Sequence, residues 1–322
     1  MGGILSSREL GALAASQPPL ESFGPQSERP YLAFAVEGAD PKLAAWLRGL
    51  PCPVIGLGRG SVQTACDVLI AADAELEALA RNISAAPIAS MVLVQHLRAS
   101  AGLSLDDTLM AESFAYATLQ QGPEFRAWQA ENAALPAVSP PEAPLLIERG
   151  EDTLRLTLDD PDNRNAIGIA MRNALCEALD MALADPGVAR VELTGKGRIF
   201  STGGQVAEFG SVSDPATAHW IRTLRLPACR LARLRERLHV HVNGAAIGAG
   251  AEMAAFGAYV TASGDAWFQL PELRYGLIPG AGGTASLTHR IGRQATAWLA
   301  LSMKRIDAQA ALELGLVDEV RS

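Results

Sequence analysis

The sequence predicts an α/β fold. Three observations carry that prediction. Strand-period and helix-period segments alternate through the second half of the chain, glycine-rich turns close several of the strands, and a proline-rich break sets this half apart from a mostly helical first half. With 322 residues the chain has length for about two domains. Pro136, Pro140, Pro141 and Pro144 interrupt the stretch after Leu135, where neither a helix nor a central strand can continue. We therefore divide the chain into residues 1–136, a linker at 137–144 and a core at 145–322.

In the core, Leu154–Leu158 alternates with period two and reads as a strand. Met171, Leu175, Leu179 and Leu183 follow helical spacing, and Asp185-Pro186-Gly187 stops that helix. Val191–Thr194 is a strand running into Gly195 and Gly197. Ala216–Leu238 reads as a long helix interrupted or kinked at Pro227. Leu238–Val242 is a strand with His239 and His241 on one face, where hydrogen-bonded structural roles are expected. A short helix follows near Gly250, then a strand over Ala258–Ala262. Arg293–Met303 and Asp307–Leu314 are helices, the second between an Asp307 N-cap and Gly315. In the first part, Tyr31–Val36 and Pro53–Leu57 are strands around a Leu43–Leu47 helix. Helices follow at Ala71–Asn82, Ile88–Arg98, from Ser104 onward, and at Pro123–Asn132. Residues 1–29 show little periodicity and are expected to form a mobile or loosely docked arm.

Composition narrows the function classes. Apolar residues make up 49% and the net charge is −8, which excludes wholesale disorder and argues against nucleic-acid or polybasic membrane partners. No apolar run reaches the ~20 residues of a bilayer span. The first residues lack the basic start of a secretory signal, so a cytoplasmic location is expected. Cys52, Cys66, Cys176 and Cys229 are scattered, which predicts reduced thiols and no metal site. Gly56-Leu-Gly58-Arg-Gly60 follows a strand but lacks dinucleotide spacing, so close packing is the expected reason for its glycines.

Chemistry concentrates between Leu238 and Leu287. Glu252 is the only charge between His241 and Asp265 when histidines are neutral. A carboxylate in so apolar a run either titrates near neutral pH or meets a structural ion-pair partner. Glu272 follows Pro271, which predicts a non-helical loop, with Arg274 as its partner or as a surface charge. Pro279-Gly-Ala-Gly-Gly-Thr284 then opens a helix. Gly203 and Gly204 end one turn and Ala249 begins another, so two backbone amides can converge on one carbonyl oxygen as an oxyanion hole.

These motifs, in order, carry a family resemblance. Asn165-Ala-Ile, Phe200-Ser-Thr-Gly-Gly, Val242 to Glu252, Leu270 to Thr284 and Ile306 to Val320 resemble the crotonase (enoyl-CoA hydratase/isomerase) superfamily over residues ~150–320. The resemblance implies a ββα superhelix core that binds an acyl-CoA thioester. It places the oxyanion-hole amides at Gly204 and Ala249 and the two hydratase glutamates at Glu252 and Glu272. It places CoA and substrate contacts along Asn165, Ala166, Ile167, Thr202, Gly203 and Gly248. Gln205 stands where the family commonly has Asp, and Ala249 where Gly is common. The family's core is usually followed by a helical unit, whereas this sequence stops at Ser322. Segments within 76–87, 103–112 and 121–128 resemble that unit, and 52–58 and 65–72 resemble eroded core pieces. Residues 1–136 are thus expected to be a degenerate crotonase-like unit whose helices cover the core of the same or a neighbouring subunit.

The expected reaction is addition of water to a 2-enoyl-CoA, with no metal or redox cofactor. Double-bond isomerisation, another crotonase-type reaction, and a non-catalytic acyl-CoA-binding subunit are the alternatives. The resemblance also implies a homo-oligomer, trimeric or hexameric.

Overall fold

The Ser6 side chain accepts from the Glu9 amide while the Glu9 carboxylate accepts from the Ser6 amide, a reciprocal cap that starts α1 (Ser7–Ala15). The computed structural model describes residues 3–133, 139 and 141–321. The expected mobile arm is therefore corrected. Leu10 of α1 is fully buried, and Leu5 bonds on both sides of Phe34, donating to Ala33 O and accepting from the Ala35 amide. Helical spacing here is too brief to register, but Leu10 and Leu13 pack with Phe23 and Phe34 under one sheet face.

That sheet is small and parallel, in the order β1 (Leu32–Ala35), β2 (Val54–Leu57) and β3 (Val68–Ile70), with α2 (Ala44–Gly49) between the first two strands. Gly56 packs against Val36 and Cys66. Asp67, fully buried, accepts from the Val54 amide and pairs with two arginines, Arg98 and Arg293, from two helices later in the chain. Asp67→Ala leaves both guanidiniums without their anion and is expected to cost about 3–5 kcal/mol in urea unfolding. An unchanged midpoint would show that the triad is energetically idle.

The helices α3 (Ala74–Ala85), α4 (Pro87–Ala99), α5 (Leu105–Leu119) and α6 (Pro123–Glu131) follow. Residues 137, 138 and 140 of the expected linker, and 134–136 before it, lie outside the described residues.

The core begins with β4 (Leu145–Arg149), an edge strand absent from the sequence expectation. Four of its five residues are exposed, so no buried face imposes a period of two. There follow β5 (Thr153–Leu158), α7 (Ile169–Ala184), β6 (Arg190–Gly195), β7 (Ile199–Ser201), α8 (Pro215–Arg225) and α9 (Pro227–Leu234). Pro227 separates the last two helices, as expected, and a 3-10 turn at Arg235–Arg237 leads into β8 (Leu238–Val242). The remainder is β9 (Ala245–Ile247), α10 (Ala249–Ala254), β10 (Tyr259–Ser263), β11 (Trp267–Gln269), α11 (Gly283–Ile291), α12 (Arg293–Ser302), β12 (Ile306–Asp307), α13 (Ala308–Glu313) and β13 (Glu319–Arg321).

From β6 to β11 successive strands alternate between two sheets. A six-stranded sheet runs β13-β10-β8-β6-β5-β4, and a four-stranded sheet runs β12-β11-β9-β7. Pairing is parallel except for β4 with β5 and β11 with β12. The pairs β6–β7, β8–β9 and β10–β11 each pass from the large sheet to the small one and on to helices, the expected ββα repeat. The chain is thus α/β with a crotonase-like core. His239 and His241 share the outer face of the large sheet, where His241 Nδ1 lies 2.9 Å from Thr261 Oγ1.

The helices α3–α6 do not fold apart from this core. Leu79, Ile83, Leu93, Leu97, Leu109 and Phe125 belong to the same buried cluster as Leu193, Val240, Leu277 and Leu301. Asn82 caps the carboxyl end of α12, donating to Leu301 O at 3.0 Å and Ser302 O at 2.7 Å. The helices therefore cover the core of their own chain. No helix among the described residues is long and apolar enough to cross a membrane.

Candidate active site

Three chain segments meet at a cleft of about 820 Å³, its open mouth included. The first leaves the end of β7. Ile167 bridges to Gly204, with its amide donating to Gly203 O at 2.7 Å and its carbonyl accepting from Gln205 at 3.3 Å. Ile167 thus engages the groups on either side of Gly204, whose own amide faces away from it. The second segment is the turn from β9 into α10. Ala249 is the first residue of that helix, so its amide is one of the donors no helix can satisfy internally. The two turns touch. A Cβ on Gly203, at φ +86°, would sit 2.6 Å from Ile247 O and 3.2 Å from the Ala249 nitrogen.

The third segment runs from Pro271 to Thr284. Glu272 opens a single 3-10 turn, Glu272–Tyr275, capped by Pro271, so the expectation of a non-helical loop is corrected. Proline is tolerated there because the cap position needs no helical amide donor. Arg274 is exposed and makes no ion pair with Glu272 among the described residues. Gly248, at φ +49°, admits the Glu272 carboxylate, because a Cβ there would lie 2.6 Å from Oε1. Glu272 Oε2 is buried and has no hydrogen-bond partner among the described residues. Glu252, on α10, is 2% exposed, and its Oε2 accepts from the amides of Ala281 at 2.6 Å and Gly283 at 2.7 Å. Its partners are thus amides at a helix start and not a cation, which removes the ion-pair alternative.

Electrostatics separate these carboxyls from ordinary surface acids. Burial, then the neighbouring Glu272 and Glu112 charges, hold Glu252 well above the usual carboxylate range, against the pull of its two amide donors. Burial pushes Glu272 up to about 8. Two neighbouring carboxyls in such surroundings retain a proton near neutral pH, and their titration belongs to the pair.

The cleft wall includes Ile167, Thr202, Gly203, Gly204, Gly248, Ala249, Glu252 and Glu272, which brings together most of the residues expected from sequence. Asn165 and Ala166 are not in that wall. Asn165 is fully buried, donating to Lys196 O and Ile199 O and accepting from the Asp160 amide, so its side chain is a clamp beneath the first segment.

Sequence reasoning missed six groups at or behind the cleft. Arg172 of α7 and Arg222 of α8 line it, as does Tyr116 of α5, whose ring carries Arg222 at 4.4 Å. Glu112, one turn before Tyr116, is fully buried behind the wall. Its signal was a charge inside the apolar stripe Leu105, Leu109, Glu112, Tyr116, Leu119 of a helix. Phe209 and Tyr275 close one side, backed by Trp128 of α6 at 5.2 Å from the Tyr275 ring.

A parallel ββα core with paired acids and two helix-start or strand-end amides at one cleft defines a crotonase-type enzyme. Residues 148–322 match the enoyl-CoA hydratase/isomerase family, and the chain belongs to that family. It is 36% identical over 176 residues to the 2,3-dehydroadipyl-CoA hydratase of Escherichia coli, covering 55% of this chain and 68% of that protein. A solved enoyl-CoA hydratase/isomerase from Mycobacterium paratuberculosis is similar at TM-score 0.52 and 28% identity, over 57% of this chain and 74% of that one. An enoyl-CoA hydratase from Bacillus anthracis is similar at TM-score 0.51 and 26% identity, over 56% and 70% respectively.

Proposed function

We propose that this protein adds water across the double bond of a 2-enoyl-CoA thioester, giving the 3-hydroxyacyl-CoA. The observation that supports this most is the meeting of two proton-retaining carboxyls, buried Glu252 and half-buried Glu272, with the Gly204 and Ala249 amides on one cleft wall. The thioester oxygen accepts from the two amides. Negative charge grows on that oxygen as water attacks Cβ, so fixed donors stabilise the transition state more than the ground state. One glutamate, ionised, takes a proton from the attacking water. The other, protonated, delivers a proton to Cα. Oxygen adds to Cβ and hydrogen to Cα, and the carboxyl pair ends with the same total number of protons. No step runs through a metal or redox group. Tyr116, Phe209 and Tyr275 limit the space for the acyl group and for bulk water.

The test is loss of enoyl-thioester absorbance with crotonyl-CoA, run in ¹⁸O-labelled water. Solvent oxygen in the product supports hydration, whereas a rearranged double bond without label would mean isomerisation. A homo-oligomer in the cytoplasm remains part of the proposal, and sedimentation checks its size.

The pH profile follows from the same pair. Both carboxyls bind protons more tightly than free glutamate, so the pair keeps at least one proton through neutrality and gives up its last one only at alkaline pH. The turnover number is expected to decline on that alkaline side. A profile that keeps rising beyond it would show that no protonated carboxyl is needed.

A further inference from the structure

We propose that Glu112, carried to the site by α5 of the amino-terminal unit, is the positioning residue for Glu252. The two carboxylates share four consecutive amides in alternation. Glu252 takes those of Ala281 and Gly283. Glu112 takes those of Gly282 at 2.8 Å and Thr284 at 2.9 Å. The Thr284 hydroxyl also donates to Glu112 Oε2 at 2.7 Å. Because that hydroxyl donates its one proton to Glu112, its 2.8 Å contact with His96 Nε2 is a bond in which the imidazole donates. Burial depresses His96 to about 4, so a neutral ring protonated at Nε2 supplies that bond.

Arg222 of α8, which meets α5 at Glu112 and Ser113, holds the other end of the run. Arg222 lies 3.7 Å from Glu112 Oε1, donates to Ser113 Oγ at 3.1 Å, and hydrogen-bonds Gly280 O. The backbone from 280 to 284 is therefore gripped by Arg222 of α8 and Glu112 of α5 while offering its alternate donors to Glu252. Withdrawing Glu112 frees that run to rotate about its glycines, and the two amides that fix Glu252 move with it. A shift of about 1 Å in a reacting group can cost ~10²-fold in rate.

Glu112 also acts by charge. The titratable and charged groups facing it are Arg222 and His219 of α8, Cys229 of α9, Glu252 of α10, Glu272, His96 of α4 and Tyr116 of its own helix. Arg222 is its one close cation among the described residues. Burial raises the Glu112 carboxyl while Arg222, the Thr284 hydroxyl and the two amides pull it down, and in its ionised form it makes Glu252 bind its proton more tightly.

This inference rests on the hydratase reading only for its kinetic assay, so the test has two arms. In the first, Glu112→Gln and Glu112→Asp are compared with wild type in turnover of crotonyl-CoA. We expect kcat to fall roughly 10–100-fold in both with KM changed less than about twofold, because binding surfaces stay in place while the reacting acid moves. The alkaline limb moves to lower pH in the Gln variant only, since Asp keeps the charge and loses the reach. In the second arm, the C=O stretch of the buried carboxylic acid is titrated by difference infrared spectroscopy, with Glu252→Gln identifying the Glu252 band. Its midpoint is expected to drop in Glu112→Gln. This arm needs no turnover, so it decides the point even if wild type hydrates no enoyl thioester. Wild-type kcat in the Asp variant, or an unmoved Glu252 band in the Gln variant, would overturn the proposal. If the Gln variant does not fold, the Asp variant alone decides through kcat or, without turnover, through a displaced Glu252 band frequency.

Discussion

Glu252→Gln and Glu272→Gln should each yield a folded protein whose kcat on an enoyl-CoA has fallen roughly 10²–10⁴-fold, the usual contribution of a positioned acid or base. That is about 3–5 kcal/mol of transition-state stabilisation. Gln at 252 keeps a carbonyl oxygen for the Ala281 and Gly283 amides, so the loss reports proton transfer more than structure. At 272 the unpartnered Oε2 means that little internal bonding is lost. The double variant should lose hardly more than the worse single one, because the two groups act as a unit. The measurement is initial rate with crotonyl-CoA, alongside circular dichroism to confirm the fold. An activity that survives one substitution intact while the other abolishes it would point to single-carboxylate isomerisation. Near-normal rates in both would remove the carboxyl pair from the mechanism.

The second large effect concerns residues 141–322 expressed alone. We expect this fragment to be insoluble, or soluble and at least 10³-fold less active. Without α3–α6 it exposes the partners of Leu79, Ile83, Leu93, Leu97, Leu109 and Phe125, all part of the same buried cluster. At about 1.5–3 kcal/mol per buried side chain, the six come to about 9–18 kcal/mol, at least comparable to a whole domain's net stability. The fragment also lacks Glu112, Tyr116 and the aromatic backing of Trp128. Co-expression of residues 1–140 should restore part of the activity. A soluble, fully active fragment would show that the helices are dispensable cover.

Much of the fold was legible in the sequence because its elements bury one face. Leu154–Leu158 and the helix from Met171 announce themselves by period, and the structure places them within a residue or two. The misses have physical causes. The strands β7, β9 and β11 have three residues each, too few for an alternation to repeat. The exposed β4 has no buried side to mark it. The first helix is declared by a cap whose two halves, Ser6 and Glu9, look unremarkable in isolation. At the site, Glu252 and Glu272 stood out as charges among apolar and glycine-rich residues. Asn165 stood out too, but as a fully satisfied buried amide beneath the cleft. Glu112 and Tyr116 escaped because their roles depend on a contact made across about 170 residues of chain, and no local window contains it.

Asn82 reaching the carbonyls of Leu301 and Ser302, and Asp67 reaching Arg293, span 219, 220 and 226 residues. During synthesis the helices that meet the cleft emerge first and then wait, while members of their buried cluster such as Leu287 and Leu301 are still unmade. Their apolar faces stay uncovered until nearly the whole polypeptide has left the ribosome. Loop closure over such separations is slow, and the waiting species resembles an aggregation-prone intermediate. The same connections that complete the cleft thus make its assembly a late, nearly all-or-none event, and tie the yield of active protein to whatever shields those helices in the meantime.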